Sequence, residues 1–138
     1  MTQHQLVLEF HERFAVPIAA APRQLDRDEF RFRYGFMEEE LLEFAAAYQD
    51  GDLVKQVDAL LDLAYVVHGT ALMMGVPWER AFDIVHSANM RKMSVRELRA
   101  AGIDVPNARH DTDVKKPPGW VGPEDELARL LREHGGAL

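Results

Sequence analysis

The chain has 138 residues, a formal net charge of -7 and no cysteine. That length suits one domain whose core needs no disulfide or structural zinc, and the lack of thiols removes cysteine nucleophiles and thiolate metal sites while fitting a reducing cytoplasm. A negative chain repels a phosphate backbone, which argues against general nucleic-acid binding but leaves a small phosphorylated ligand open wherever lysines such as Lys92, Lys115 and Lys116 gather.

Helical spacing dominates and no useful strand-like alternation occurs, so residues 1–138 read as a single all-α domain. Met1 to Glu9 carries an acid and no positive region ahead of an apolar core, so it does not read as a signal peptide. The first helix is expected from about Thr2 to Phe14, with Leu6, Phe10 and Phe14 on one face, ending before Pro17. After a linker with Pro22, a long second helix starts near Asp26 and runs to Tyr48, where Asp50-Gly51-Asp52 breaks it. The third spans Asp52 to Met74 and stops at Gly75. The fourth opens at Pro77 and reaches about Met93, Ser94 caps a short segment to Ala101, and a last helix spans Pro123 to His134. Residues 102–122 form a Pro/Gly-containing stretch without periodicity, and loops of that length are usually functional or disordered. The most apolar run, Leu63 to Trp78, falls short of the roughly 20 residues that span a bilayer.

The chemistry-bearing feature is acidic. Glu38, Glu39, Glu40 and Glu43 crowd the second helix, and Asp58 and Asp62 are the only formal charges between Val57 and Gly75. The short turn makes helices two and three an antiparallel hairpin and brings the two groups side by side. At about 100° per residue, Glu39, Glu40 and Glu43 share an arc with Phe32, Phe36 and Ala47, whereas Glu38 points elsewhere. Asp58 and Asp62 stack at i and i+4 on a face continued by Val54, Tyr65, Val66, Gly69 and Met73. Burying even one unpaired carboxylate costs roughly several kcal/mol, so apolar company implies compensation. Oxygen-only donors suit Mg²⁺ or Mn²⁺ far better than zinc, and both hairpin helices together would hold one or more ions against substrate phosphates. Ion pairs of the aspartates to Arg31 or Lys55 are the plain alternative. A di-iron bundle would need two Glu-x-x-His motifs, and only Asp83-Ile-Val-His86 comes near one.

Four segments in order carry a resemblance over residues 30–123 or so: Glu39-Glu40-Leu-Leu-Glu43-Phe, Asp58-Ala-Leu-Leu-Asp62-Leu-Ala-Tyr65, His86-Ser-Ala-Asn89-Met-Arg-Lys92, and Lys116-Pro-Pro-Gly-Trp120. In these the chain resembles the MazG-like, phosphoribosyl-ATP-pyrophosphohydrolase-like all-α nucleotide pyrophosphohydrolases. The resemblance implies hydrolysis of a nucleoside triphosphate to monophosphate and pyrophosphate with Mg²⁺ or Mn²⁺, in an oligomer of helical hairpins. It implies that Glu39, Glu40, Glu43 and Asp62 bind metal and that one of the glutamates orients or deprotonates water. The family's usual second motif is Glu-x-x-Asp. Here Ala59 stands at its Glu position, so Asp58, one residue earlier, is either a further ligand, as in the Glu-x-x-x-Asp pattern of all-α dUTPases, or a supporting group.

By the same resemblance Asn89 and Lys92 reach sugar and phosphate, against the alternative of a polar outer face shared with Arg91. Lys116 opens a stiff Pro-Pro-Gly-Trp segment that would hold it over phosphates, and Trp120 either stacks on a base or pins the loop. His68 reads as a packed core residue and His86 is undecided. Helix three is apolar nearly all round and needs partners on every side, which favours a homodimer or homotetramer completing a four-helix-bundle-like core, with Met73 and Met74 as filler. The expectation is therefore a cytoplasmic, metal-dependent pyrophosphohydrolase of a small nucleotide, dGTP or dUTP being examples, with no nucleic-acid or membrane partner. Phosphoribosyl-ATP hydrolysis and a non-catalytic metal-binding scaffold are the alternatives.

Overall fold

The helix starts stand where capping side chains stand. Thr2 accepts from the Gln5 amide, Asp26 from those of Asp28 and Glu29, Asp52 from that of Lys55 and Ser94 from that of Glu97, each satisfying first-turn donors that the helix itself leaves open. In the computed structural model, which describes residues 1–138, these caps open α1 (Gln3–Phe14), α2 (Arg27–Gln49), α3 (Leu53–Met73) and α5 (Val95–Ala100). Pro77 and Pro123 immediately precede α4 (Trp78–Met90) and α6 (Glu124–Glu133). The chain is predominantly helical, as expected. No single helix is long and apolar enough to cross a membrane.

The chain divides into two compact units, Met1–Trp78 with Leu131–Leu138, and Glu79–Leu130. In the first, α2 and α3 form the antiparallel hairpin, turned by Gly51 at φ 68°. Its seam on α2 is Arg33, Met37, Glu40, Phe44 and Ala47, spaced by fours and threes, all buried or half-buried. Gln56, Ala59, Leu63, Val66 and Thr70 repeat that spacing on α3. Arg33 crosses the seam: its Nε donates to Thr70 Oγ1 (3.0 Å) and its Nη2 to the Val66 carbonyl (2.8 Å). Helix α1 packs on α3, burying Val7 and His11 and setting Phe10 edge-on to Tyr65, with ring centroids 5.4 Å apart. Burial of Leu72 and Met73 contributes roughly 2 kcal/mol each.

The linker after α1 is tied to the end of α3 by the Ala19 amide on the Leu72 carbonyl (3.0 Å) and the Arg23 amide on that of Met74 (2.9 Å). Gly75 makes this possible, since it sits at φ 66° and any Cβ there would run into the Ala21 carbonyl. Gly75→Ala is expected to destabilise the chain by about 2–4 kcal/mol, combining left-handed strain with a backbone clash. Urea unfolding checks this, and a loss below about 0.5 kcal/mol would contradict it.

Two expectations are corrected in the second unit. Helix α4 ends at Met90 rather than Met93, because Met93 and Ser94 turn out as a short strand, β1 (Met93–Ser94). The stretch 102–122 is not plain loop either: it returns as β2 (Val114–Lys115), antiparallel to β1 with Met93 opposite Lys115 and Ser94 opposite Val114. The return is held by the Val95 amide on the Asp113 carbonyl (2.8 Å), that of Arg96 on Asp111 (3.0 Å), and an Arg99–Asp111 ion pair at 2.6 Å. No periodicity marks a ribbon only two residues wide.

Candidate metal centre

The acids on the hairpin are not equivalent. Glu38 is exposed and walls a shallow hollow with Tyr34, Leu41 and Leu63, off the acidic arc. Glu39 and Glu43 are exposed on the flank of α2, while Glu40 lies in the seam. Its Oε2 is sealed from solvent and has no hydrogen-bond partner. Burial, followed by the charges of Glu43, Asp62 and Glu39, pushes the Glu40 carboxyl above the usual range. Those influences put Glu39, Glu40, Glu43 and Asp62 in one electrostatic neighbourhood. Asp58, one turn nearer the start of α3, is not among the charges that raise Glu40.

Asp58 and Asp62 themselves are exposed, contrary to the burial inferred from their apolar neighbours. Val54, Val57, Leu61 and Tyr65 around them are exposed too, because α2 covers only one side of α3. Neither aspartate is paired to a base: Lys55 reaches Asp52 (3.8 Å), and Arg31 forms no ion pair. The ion-pair alternative therefore finds no support in the geometry. Nor does any group of three His, Asp or Glu side chains enclose an ion in its present rotamers. The two observations are compatible, since charges act over several ångströms whereas Mg²⁺ needs oxygens at about 2.0–2.1 Å. An orphaned carboxylate oxygen among three further acids, with oxygen the only donor type, fits Mg²⁺ or Mn²⁺.

The second unit assembles three of the four expected substrate groups. Pro117-Pro118-Gly119-Trp120 is a β-turn, closed by the Trp120 amide on the Pro117 carbonyl (3.0 Å) with Gly119 at φ 77°, the place and sign a type II turn demands. The turn delivers the Trp120 indole N–H to the Ala88 carbonyl (2.9 Å). Lys116 Nζ and Lys92 Nζ lie 4.9 and 5.4 Å from the ring centroid. Both ammonium groups lack an acid partner, whereas Lys115 is held by Asp113 at 2.9 Å. Trp120 thus pins its loop through nitrogen and carries two lysines on its ring. Asn89 is exposed in the last turn of α4, with Lys92 just past the helix end, its amide on the Asn89 carbonyl (3.0 Å). His86 is exposed. His68 is half-buried, with Nδ1 at 3.2 Å from His4 Nδ1 and its ring edge-on to Trp78.

Sequence reasoning passed over Arg33 and His11, both buried. Arg33 lies between two cavities, one on either flank of the hairpin seam. A cavity of about 320 Å³ is lined by Phe10, His11, Phe32, Phe36, Tyr65 and their neighbours, and one of about 460 Å³ by Phe30, Tyr34, Met37, Thr70, Met74 and theirs. The available signal was an arginine at a seam position, among Phe32, Tyr34 and Phe36.

A family model described as phosphoribosyl-ATP pyrophosphohydrolase matches residues 7–89, more than half of the chain. The match takes in all the hairpin acids and Asn89, and ends before Lys92, Lys116 and Trp120. No curated protein matches the chain.

Proposed function

Since the chain belongs to the phosphoribosyl-ATP pyrophosphohydrolase family, we propose that it is a metal-dependent nucleotide pyrophosphohydrolase, converting a (deoxy)nucleoside triphosphate and water into monophosphate and pyrophosphate. The observation that carries this reading is Glu40: a carboxylate with one oxygen sealed and unpartnered, beside Glu39, Glu43 and Asp62, costs stability unless a cation or proton answers it. Glu39, Glu40, Glu43 and Asp62 are the proposed holders of Mg²⁺ or Mn²⁺, with Asp58 an outer acid able to join them. Such an ion, when bound, neutralises phosphate oxygens and offsets charge developing on the leaving pyrophosphate. One of the glutamates positions the attacking water and takes its proton. Glu40, half-buried in the seam with one oxygen sealed, suits holding, and the exposed Glu39 and Glu43 suit proton exchange with solvent.

Asn89, Lys92, Lys116 and Trp120 are the proposed substrate contacts. Two unpaired ammonium groups over one ring suit phosphate oxygens, and the type II turn limits the entropy lost in holding them. Lys116→Ala is expected to raise KM about tenfold with a smaller change in kcat, read from steady-state pyrophosphate release; unchanged KM would remove Lys116 from the site.

The name of the matching family favours phosphoribosyl-ATP as substrate, and this second reading shares the bond broken and the metal. Deoxynucleotides such as dGTP or dUTP remain the reading that the resemblance to MazG-like enzymes suggests. Self-association completes the proposal: Leu42, Tyr48, Leu53, Val57, Leu60 and Leu61 expose apolar surface on both hairpin helices, more than a lone chain keeps without reason. A second hairpin of the same kind, in a homodimer or homotetramer in the cytoplasm, would cover it.

One assay decides most of this. The protein is incubated with each nucleoside triphosphate, each deoxynucleoside triphosphate and phosphoribosyl-ATP, with Mg²⁺, Mn²⁺ or chelator, and the products are chromatographed. Monophosphate and pyrophosphate from a triphosphate, lost with chelator, are expected; for phosphoribosyl-ATP, the phosphoribosyl monophosphate and pyrophosphate. No turnover of any of them would leave only a helical scaffold.

A further inference from the structure

We propose that the cavity walled by Phe10, Phe32, Phe36 and Tyr65 seats the substrate's base, and that Arg33 at its edge selects a base with two acceptors on one side, as guanine presents in O6 and N7. The inference rests on the nucleotide-hydrolysing reading above and narrows its substrate.

Position comes first. Phe32, Phe36, Glu39 and Glu43 fall at intervals of four, three and four on α2, and Asp58, Asp62, Tyr65 and Gly69 repeat those intervals on α3. In an antiparallel hairpin the two stripes flank one groove, aromatic at one end and acidic at the other. Along α2, Glu39 and Glu43 lie about 5–10 Å beyond Phe36, at 1.5 Å rise per residue. A sugar spans that interval between a base among the rings and phosphates at the acids. The larger cavity is on the wrong flank: Arg27, Phe30, Tyr34 and Met37 line it from the other side of the seam, so a base there would carry its phosphates away from Glu39 and Glu43.

Chemistry comes second. Arg33 is only 8% exposed, yet no carboxylate pairs with it, and a buried cation without a counter-charge is costly. Its Nε and Nη2 serve Thr70 and Val66, while no acceptor of the chain takes Nη1. His11 does not compensate. Its Nδ1 lies 3.2 Å from the Pro17 carbonyl, which can only accept, so Nδ1 carries the proton. Burial, opposed by that hydrogen bond, and then the Arg33 charge hold the ring below its usual pKa and therefore neutral. Aromatic walls stack any base; the unspent guanidinium donors discriminate. The cavity lining contains no carboxylate or amide side chain, and the exocyclic amino group of adenine or cytosine, turned towards Arg33, would meet a cation rather than an acceptor. Guanine offers O6 and N7 together, the arrangement arginine reads bidentately. Gly69 keeps the place open, because a Cβ there would stand 2.6 Å from Arg33 Nη2 and 2.8 Å from His11 Nε2.

The test compares kcat/KM for dGTP, dATP, dCTP, dTTP, dUTP and phosphoribosyl-ATP in wild type and Arg33→Lys, with Mg²⁺. Wild type is expected to prefer dGTP to dATP by about ten- to a hundredfold, and Arg33→Lys to collapse that ratio towards one. A structural role alone would lower all substrates together. Hydrolysis without a guanine preference, a preference unmoved by Arg33→Lys, or phosphoribosyl-ATP as best substrate would overturn the base assignment and leave the hydrolase reading standing. Failure to hydrolyse anything would overturn both. Should Arg33→Lys not fold, calorimetric titration of the wild type and Tyr65→Leu with dGMP and dAMP in chelator decides. Wild type is expected to bind dGMP at least about tenfold tighter, and Tyr65→Leu to weaken both. Equal affinities in the wild type would refute the proposal.

Discussion

Asp62→Asn is expected to cut pyrophosphate release by about 10²–10³-fold while leaving the melting temperature within about two degrees. The two halves of that expectation have different origins. Asp62 is exposed in the chain and pairs with no base, so exchanging its charge for an amide disturbs neither packing nor an ion pair. It nonetheless faces Glu40, and its loss removes one of the oxygens proposed to hold the cation. Circular dichroism melting and the pyrophosphate assay measure the two effects separately. A fully active variant would dismiss Asp62 from the site, and an unfolded one would show that its role is structural.

Glu40→Gln is expected to do the reverse to stability. The carboxyl is pushed above its ordinary range in the folded chain by burial and by Glu43, Asp62 and Glu39, so its ionised form disfavours folding. That penalty is fully present above the folded pKa and fades as pH falls through it towards the unfolded value. Without metal at neutral pH, the amide variant should therefore melt a few degrees higher than wild type, with the gap closing in acid. Mg²⁺ should act unequally on the pair. At about a hundred times its dissociation constant, an ion bound only by the folded state adds about 2.7 kcal/mol, which for a chain of this size is about 5–10 °C. Wild type should gain that much and Glu40→Gln little of it. A wild-type melting temperature indifferent to Mg²⁺ and Mn²⁺ would sink the metal reading independently of any assay of turnover.

Glu40 also marks where sequence stopped being informative. Charge sparsity on α3 pointed to Asp58 and Asp62 as the buried acids, but both are exposed, and the sealed oxygen belongs to a glutamate in what looked like an ordinary acidic run. Helix α3 is apolar on nearly every side, so its periodicity does not say which side meets α2. Arg33 escaped notice for the same reason: its burial depends on Gly69 and Thr70, which lie 36 and 37 positions on in the chain.

What the sequence by itself determined is local: the caps at Thr2, Asp26, Asp52 and Ser94, the breaks at Gly51 and Gly75, the hairpin they imply, and the arcs on which Glu39, Glu40 and Glu43, or Asp58 and Asp62, must fall. Such features follow from hydrogen bonds and dihedral angles within a few residues, and neighbours in sequence specify them fully. The tertiary structure alone decided which acid loses its water, which arginine is left without a counter-charge, and that the 102–122 stretch returns to pair with Met93 and Ser94. Each of these depends on desolvation by residues distant in the chain, and desolvation is set by packing rather than by pattern.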